Sequence, residues 1–92
     1  MSRSGAVRVV VSSVLLDYTG DRREVEARGK TLRAVLADLD RQFPGLRFRI
    51  VDEQDRLRQH MNAFVRGKST RDLDVALAPG DEVHILHALS GG

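Results

Sequence analysis

One amphipathic stripe constrains the fold of this chain more than any other feature of the sequence. Its apolar positions recur at steps of three, one, three and four residues: Leu32, Val35, Leu36, Leu39 and Phe43. That spacing places them on one face of a helix and leaves charged residues on the opposite face. Thr31 can cap the start of this helix through its hydroxyl, and Pro44-Gly45 predicts its end. The chain therefore has one main helix with one face to bury.

The segments on either side of this helix alternate apolar and polar residues, which is typical of half-buried strands. The predicted strands are Val7 to Val14, Arg23 to Arg28, His60 to Arg66, a short edge segment near Thr70 to Leu73, and Glu82 to Leu86. Turn residues at 17–21 join the first two strands into a hairpin, and further turns are predicted at 67–69 and 79–81. The stretch from Leu46 to Arg58 fits both a short strand and an irregular turn.

This order of elements predicts an α+β domain with a mixed sheet of four to five strands and one main helix packed on one face. A single helix covers only one face of such a sheet, so the other face must meet solvent or a partner. The period-two alternation places Val10, Phe64 and Leu86 on that uncovered face. Because a contiguous apolar group on a surface marks an interaction site, we expect these three residues to dock a partner protein.

Composition sets further limits on organisation and function. The 92 residues predict a domain at 7–87, a disordered lead at 1–6 and a flexible tail at 88–92. The absence of cysteine excludes a disulfide framework and a thiolate metal site, and it fits a cytoplasmic protein. A net charge of only +2, with one tyrosine and three phenylalanines, disfavours nucleic-acid binding. No apolar run is long enough to span a membrane, and we expect the free protein to be a monomer.

The last predicted strand is followed by a short segment that includes Leu89 and Ser90 and ends in Gly91-Gly92. Glycine has no Cβ, so its backbone can enter spaces that exclude every other residue. This tail is therefore suited to threading through a narrow channel and presenting the Gly92 carboxylate to another protein's active site. The alternative is a frayed terminus without a function.

The remaining candidate groups are weaker. We expect no metal site, because His60 is distant in sequence from the other histidines, and His84 and His87 should point to opposite faces of a strand. We expect no catalytic residue either, because Ser90 in a flexible tail cannot be held against a base. The basic clusters at 22–23 and 47–49 are typical of solvated faces, with steering of an acidic partner as the alternative.

Five motifs spread over nearly the whole chain resemble the β-grasp, ubiquitin-like sulfur carriers of the MoaD and ThiS superfamily. They are the opening valine strand that runs into residues 15–20, Thr31-Leu32-Arg33-Ala34-Val35, Asn62, the segment from Leu77 to Val83, and Ser90-Gly91-Gly92. The Gly80-Asp81-Glu82-Val83 turn, placed just before a strand and a Gly-Gly end, is the most specific of these motifs. Within the superfamily, the chain is most similar to the CysO-like branch.

The resemblance implies a sulfur carrier that is a co-substrate rather than an enzyme. A ubiquitin-activating-type enzyme would use ATP to adenylate the Gly92 carboxylate, and sulfur would then replace the adenylate to give a thiocarboxylate. A second, biosynthetic enzyme would accept the sulfur, and cysteine, thiamin, molybdopterin and specialised metabolites all remain open as its destination. The chain lacks a G-x-x-x-x-G-K-[ST] loop, so we expect it to bind no cofactor and the partner to bind ATP.

Two other functions fit the same sequence. A ubiquitin-like protein modifier would join Gly92 to lysine amines on other proteins. A non-catalytic β-grasp interaction module would use its surface alone. The modifier needs an activated Gly92 as the carrier does, whereas the interaction module keeps its function when Gly91 and Gly92 are removed.

Overall fold

The computed structural model describes residues 6–87 of the chain. Its elements in chain order are β1 (Ala6–Val11), a one-turn 3-10 helix (Ser13–Leu15), α1 (Leu16–Thr19), β2 (Glu24–Arg28), α2 (Leu32–Gln42), α3 (Leu46–Ile50), β3 (Met61–Val65), β4 (Lys68–Thr70) and β5 (Glu82–His87). No helix within residues 6–87 is long and apolar enough to cross a lipid bilayer.

The five strands form one mixed sheet in the order β2-β1-β5-β3-β4. β1 and β5 are parallel, whereas the β1–β2, β3–β5 and β3–β4 pairs are antiparallel. The predicted fold class, a mixed sheet with one main helix on one face in the β-grasp arrangement, is confirmed. β5 is the central strand, so the chain reaches the end of the domain in the middle of the sheet.

The core lies between α2 and the inward residues of the strands. The fully or almost fully buried strand residues follow the predicted alternation: Val7, Val9, Val11, Val25, Ala27, Met61, Ala63, Val65, Val83 and Ile85. From α2, Leu32, Val35, Leu36 and Leu39 are buried against them, and Phe43 is half-buried at the end of the helix. The predicted apolar stripe is therefore the face of α2 that contacts the sheet.

The start of α2 is fixed by a side-chain cap and by a close backbone approach. Thr31 Oγ1 accepts a hydrogen bond from the backbone N–H of Ala34 at 3.1 Å, as the sequence predicts. Just before it, the backbone of Gly29 packs so tightly on the first turn that a Cβ there would lie 2.6 Å from the Val35 nitrogen. A residue without a side chain is therefore required where β2 leads into α2.

The first strand is shorter than predicted at its far end. It stops at Val11 instead of Val14, because Ser12 caps a 3-10 helix by accepting a hydrogen bond from the Val14 N–H. Val14 consequently lies on the surface with 41% of its area exposed. At its other end the strand begins at Ala6, a position assigned from the sequence to the lead.

Two more local predictions are wrong. Residues 46–50 form helix α3, neither a strand nor an irregular turn, and Leu46 and Ile50 are buried one helical turn apart. The turn between β3 and β4 uses Arg66 and Gly67, with φ values of 51° and 81°, so Lys68 to Thr70 is a strand. Paired positive φ angles are typical of two-residue hairpin turns, which places this turn before the predicted 67–69.

We predict that Leu36→Ala or Leu39→Ala lowers the free energy of unfolding by about 2–5 kcal/mol, the usual effect of emptying a buried leucine site. The two side chains are 1% and 0% exposed. Chemical denaturation measures the change. The control is Arg41→Ala on the exposed side of α2, which should change stability by about 0.5 kcal/mol or less. Equal effects of the leucine and arginine variants would contradict the assigned helix face.

We also predict that Gly29→Ala destabilises the domain by about 1–3 kcal/mol, the usual cost of overpacking. The added methyl group would meet backbone atoms of Ala34 and Val35, which cannot rotate away as a side chain can. Thermal unfolding measures the loss, and Lys30→Ala at the neighbouring exposed position serves as the control. A Gly29→Ala protein as stable as the wild type would show that α2 can move away from β2 at no cost.

Candidate docking face and strand exit

The three residues predicted to dock a partner lie together on the sheet face that α2 does not cover. Val10 is opposite His84 in the parallel β1–β5 pair, and Phe64 is opposite His84 in the antiparallel β3–β5 pair. Leu86 follows on the same face, two residues further along β5. We call Val10, Phe64, His84 and Leu86 the outer patch, since they occupy three adjacent strands.

The outer patch is partly accessible. Val10, Phe64 and His84 are half-buried, and Leu86 is 38% exposed. The side chains on the opposite face of the same strands, such as Val9 and Ile85, are completely buried. The strand register predicted from the sequence is therefore right for these residues, and their role in docking stays a prediction.

His84 is the member of the outer patch that the sequence did not identify. Its outward direction followed from the inward direction of Val83 and Ile85, but its place between Val10 and Phe64 depends on strand pairing. The His84 Nε2 atom lies 3.3 Å from Glu82 Oε1, on the same strand. The patch thus has a polar, hydrogen-bonding group at its centre and apolar side chains around it.

Paired charges border the outer patch at the opposite end from Leu86. Arg8 Nη1 donates a hydrogen bond to Glu24 Oε2 at 2.8 Å, and Arg8 Nε lies 3.7 Å from Glu82 Oε2. The hydrogen bond and charge of Glu24, together with the charge of Glu82, raise the pKa of the Arg8 guanidinium above its ordinary value. The charge of Arg8 is therefore balanced within the sheet by carboxylates on two neighbouring strands.

The other end of β5 is the last part of the chain that the structure describes. His87 is the last residue of the strand and pairs with Met61, the first residue of β3. The residues predicted to thread into a partner (Leu89, Ser90, Gly91 and the carboxylate-bearing Gly92) lie outside the described residues. What the structure fixes is the end of β5 at His87, beside the outer patch and at the centre of the sheet.

The register also brings together two histidines that are distant in the sequence. His60, just before β3, and His87 have ring centroids 6.2 Å apart, whereas His84 lies on the outer face. Distance in the sequence therefore does not keep His60 away from His87, because the Met61–His87 pairing brings the two residues together. Within residues 6–87, no group of three or more histidine, aspartate or glutamate side chains is arranged to hold a metal ion.

The chain is similar in sequence to known sulfur carriers. The sequence profile of the ThiS family matches residues 9–92. The sulfur carrier protein CysO of Mycobacterium tuberculosis is 35% identical over 91 residues, a match that covers 94% of this chain and 98% of the relative.

Solved structures of similar proteins have the same fold. CysO in the Amycolatopsis orientalis BexX/CysO complex superposes with a TM-score of 0.86 at 29% identity, covering 94% of this chain and 99% of the other. CysO of M. tuberculosis gives a TM-score of 0.85 at 33% identity, covering 90% and 99%. The small archaeal modifier protein 1 of Methanosarcina acetivorans gives 0.80 at 26% identity, covering 99% and 100%. The strand order, the helix on one sheet face and the homology to CysO together place this chain in the ThiS family.

Proposed function

We propose that this protein is a sulfur carrier that holds sulfur as a thiocarboxylate on Gly92. The observation that carries the proposal is the ThiS family match, which runs to residue 92 and so includes Gly91 and Gly92. The homology to the sulfur carrier CysO over nearly the full length of both chains supports the same function.

The proposed chemistry has two steps, both performed by a ubiquitin-activating-type partner. In the first, an oxygen of the Gly92 carboxylate attacks the α-phosphorus of ATP, and pyrophosphate leaves. In the second, a sulfide-level donor attacks the acyl carbon, and AMP leaves with the electron pair of the broken carbon–oxygen bond. The adenylate is needed because a carboxylate oxygen is a poor leaving group, whereas AMP is a good one.

In this proposal the chain binds no ATP and acts as a protein co-substrate. Two triplets fit the Gly-Lys-[Ser/Thr] end of the phosphate-binding motif, at 29–31 and 67–69, but Glu24 and Asn62 stand where the motif requires its first glycine. Gly67 lies in the hairpin turn between β3 and β4 instead of leading into a helix. The phosphates of ATP are therefore assigned to the activating enzyme.

The outer patch is the proposed docking surface for that enzyme. It flanks the strand from which the tail departs, so an enzyme that holds Val10, Phe64 and Leu86 has Gly92 within reach. Five extended residues beyond His87 span at most about 17–18 Å. A second partner, a biosynthetic enzyme, would then take the sulfur. The A. orientalis complex of a similar carrier with BexX supports the idea that such carriers bind further proteins.

We predict that Phe64→Ala and Leu86→Asp each weaken binding to the activating enzyme by about tenfold or more, as for central interface residues. Both residues lie outside the core, so circular dichroism and thermal unfolding should be close to those of the wild type. Calorimetric titration of the purified pair measures the affinity. Glu53→Ala, in the exposed loop after α3, is the control. Wild-type affinity of both patch variants would remove the outer patch from the interface.

The chemical step has its own prediction. Incubated with the activating enzyme, ATP and a sulfur donor, the intact protein should gain the mass of one oxygen-to-sulfur exchange, located on Gly92 by fragmentation mass spectrometry. Deletion of Gly92 should abolish the gain, because the new terminus falls short by about 3.3–3.6 Å. Gly91→Val should nearly abolish it, because a stiff β-branched side chain must enter a channel suited to bare backbone.

The same experiment separates the rival functions. Adenylation without sulfur exchange, with the protein found joined to lysine amines in its host, would favour a protein modifier. Two outcomes would leave only the interaction module. In one, the Gly92-deleted protein is adenylated at the wild-type rate; in the other, the intact protein is not adenylated at all.

A further inference from the structure

A cleft of about 330 Å³ lies where β5 ends, on the side away from the outer patch. Val14, Arg49, Arg58, His60 and His87 are among the residues that line it. We call it the exit cleft, because β5 ends at His87, one of its lining residues. No aspartate or glutamate of residues 6–87 is among its lining residues.

The arginines of α3 differ in their partners. Arg47 forms an ion pair with Asp55, which also forms an ion pair with Arg33. Arg49, two residues further along and in the exit cleft, forms no side-chain hydrogen bond or ion pair with any residue of 6–87. Within the described part of the chain, the basic cluster at 47–49 is therefore split into one internally neutralised charge and one free charge. Only the free charge can attract a partner at full strength.

Exposed apolar side chains lie at the same cleft. Among residues 6–87, three large apolar side chains are exposed: Val14, Phe48 and Leu86. Val14 lines the exit cleft, and Phe48, 57% exposed, is joined to it through Arg58. The Arg58 guanidinium stacks 4.5 Å from the Phe48 ring centroid and donates a hydrogen bond to the Phe48 carbonyl oxygen. This contact holds an aromatic ring on the surface.

We propose that the exit cleft docks an acidic segment of the activating enzyme, with a carboxylate facing Arg49 and an apolar side chain against Phe48 and Val14. This rests on the proposed function, since it places a second contact beside the departing tail. Leu86, in the outer patch, and His87, in the exit cleft, are consecutive residues. The two surfaces therefore continue around the end of β5 and can belong to one interface.

Charge favours an acidic partner over a second copy of this chain. Two copies related by a twofold axis would bring Arg49 against Arg49 or its cationic neighbours in the cleft, and like charges in contact oppose binding. An acidic segment instead gains an ion pair with a group that has no partner among residues 6–87. A charge at the edge of an interface acts mainly on the association rate and on its salt dependence.

The test compares Arg49→Gln and Phe48→Ala with the control Lys68→Gln, which removes the same charge from the exposed β4 edge. Stopped-flow or surface-plasmon measurements give the association and dissociation rates with the purified activating enzyme. We expect Arg49→Gln to slow association about three- to tenfold at low salt. The loss should shrink below about twofold near 0.5 M salt, where exposed charges are screened. Arg49→Lys should keep the fast rate, Phe48→Ala should mainly speed dissociation, and Lys68→Gln should match the wild type.

The outcomes are separable from those of the proposed function. If the wild type is thiocarboxylated but Arg49→Gln and Lys68→Gln share the wild-type rate and salt dependence, the exit cleft is not a docking site and the sulfur-carrier proposal stands. If Arg49→Gln has a reduced unfolding temperature, Arg49→Lys and the salt dependence decide, because a folding defect would not vanish at high salt. If the wild type neither binds nor is adenylated, both proposals are wrong.

Discussion

The position of β5 between β1 and β3 is the constraint on which the rest of the structure depends. Both edges of the strand are hydrogen-bonded, one in parallel and one in antiparallel register. Its inward side chains, Val83 and Ile85, are completely buried, and its outward side chains, His84 and Leu86, belong to the outer patch. The alternation along one strand thus separates the residues that stabilise the fold from those available to a partner.

The arginines of residues 6–87 divide into those that pair with a carboxylate of the domain and those that do not. Arg8, Arg33 and Arg47 each meet a carboxylate of the domain, and Arg66 meets Asp81 beside the turn that precedes β5. In the Arg33–Asp74 pair, the hydrogen bond from the arginine lowers the pKa of Asp74 below its ordinary value. Exposed pairs of this kind add little to stability. Arg49, in the exit cleft, differs from these arginines because it pairs with no carboxylate of residues 6–87.

Elements with long and consistent patterns could be predicted from the sequence. α2 and the inward faces of the strands were predicted correctly, because the spacing of their apolar residues fits only one kind of element. α3 was not, since Leu46, Phe48 and Ile50 alternate as in a strand. The spacing of Leu46 and Ile50 also fits one helical turn. Burial of those two side chains, with Phe48 exposed, distinguishes a helix from a strand at this segment. Segments of five residues rarely contain enough pattern to separate these cases.

For the candidate site, the sequence predicted which way the side chains face but not which residues lie next to one another. That Val10, Phe64 and Leu86 face outward follows from alternation. That His84 lies between Val10 and Phe64, or that His60 meets His87, depends on which strands pair and in which register. The exit cleft was missed for a second reason. The predicted strand through Val14 and the undecided segment at 46–58 hid the two helical turns that build it.

The central position of β5 also has a mechanical consequence. A partner that draws on the chain beyond His87 pulls along the axis of the strand, across hydrogen bonds on both of its edges. Bonds loaded in this direction share the force and must give way together, whereas a strand peeled from a sheet edge loses them one at a time. Pairing on both edges of β5 therefore resists a pull on the chain beyond His87 better than pairing on one edge would.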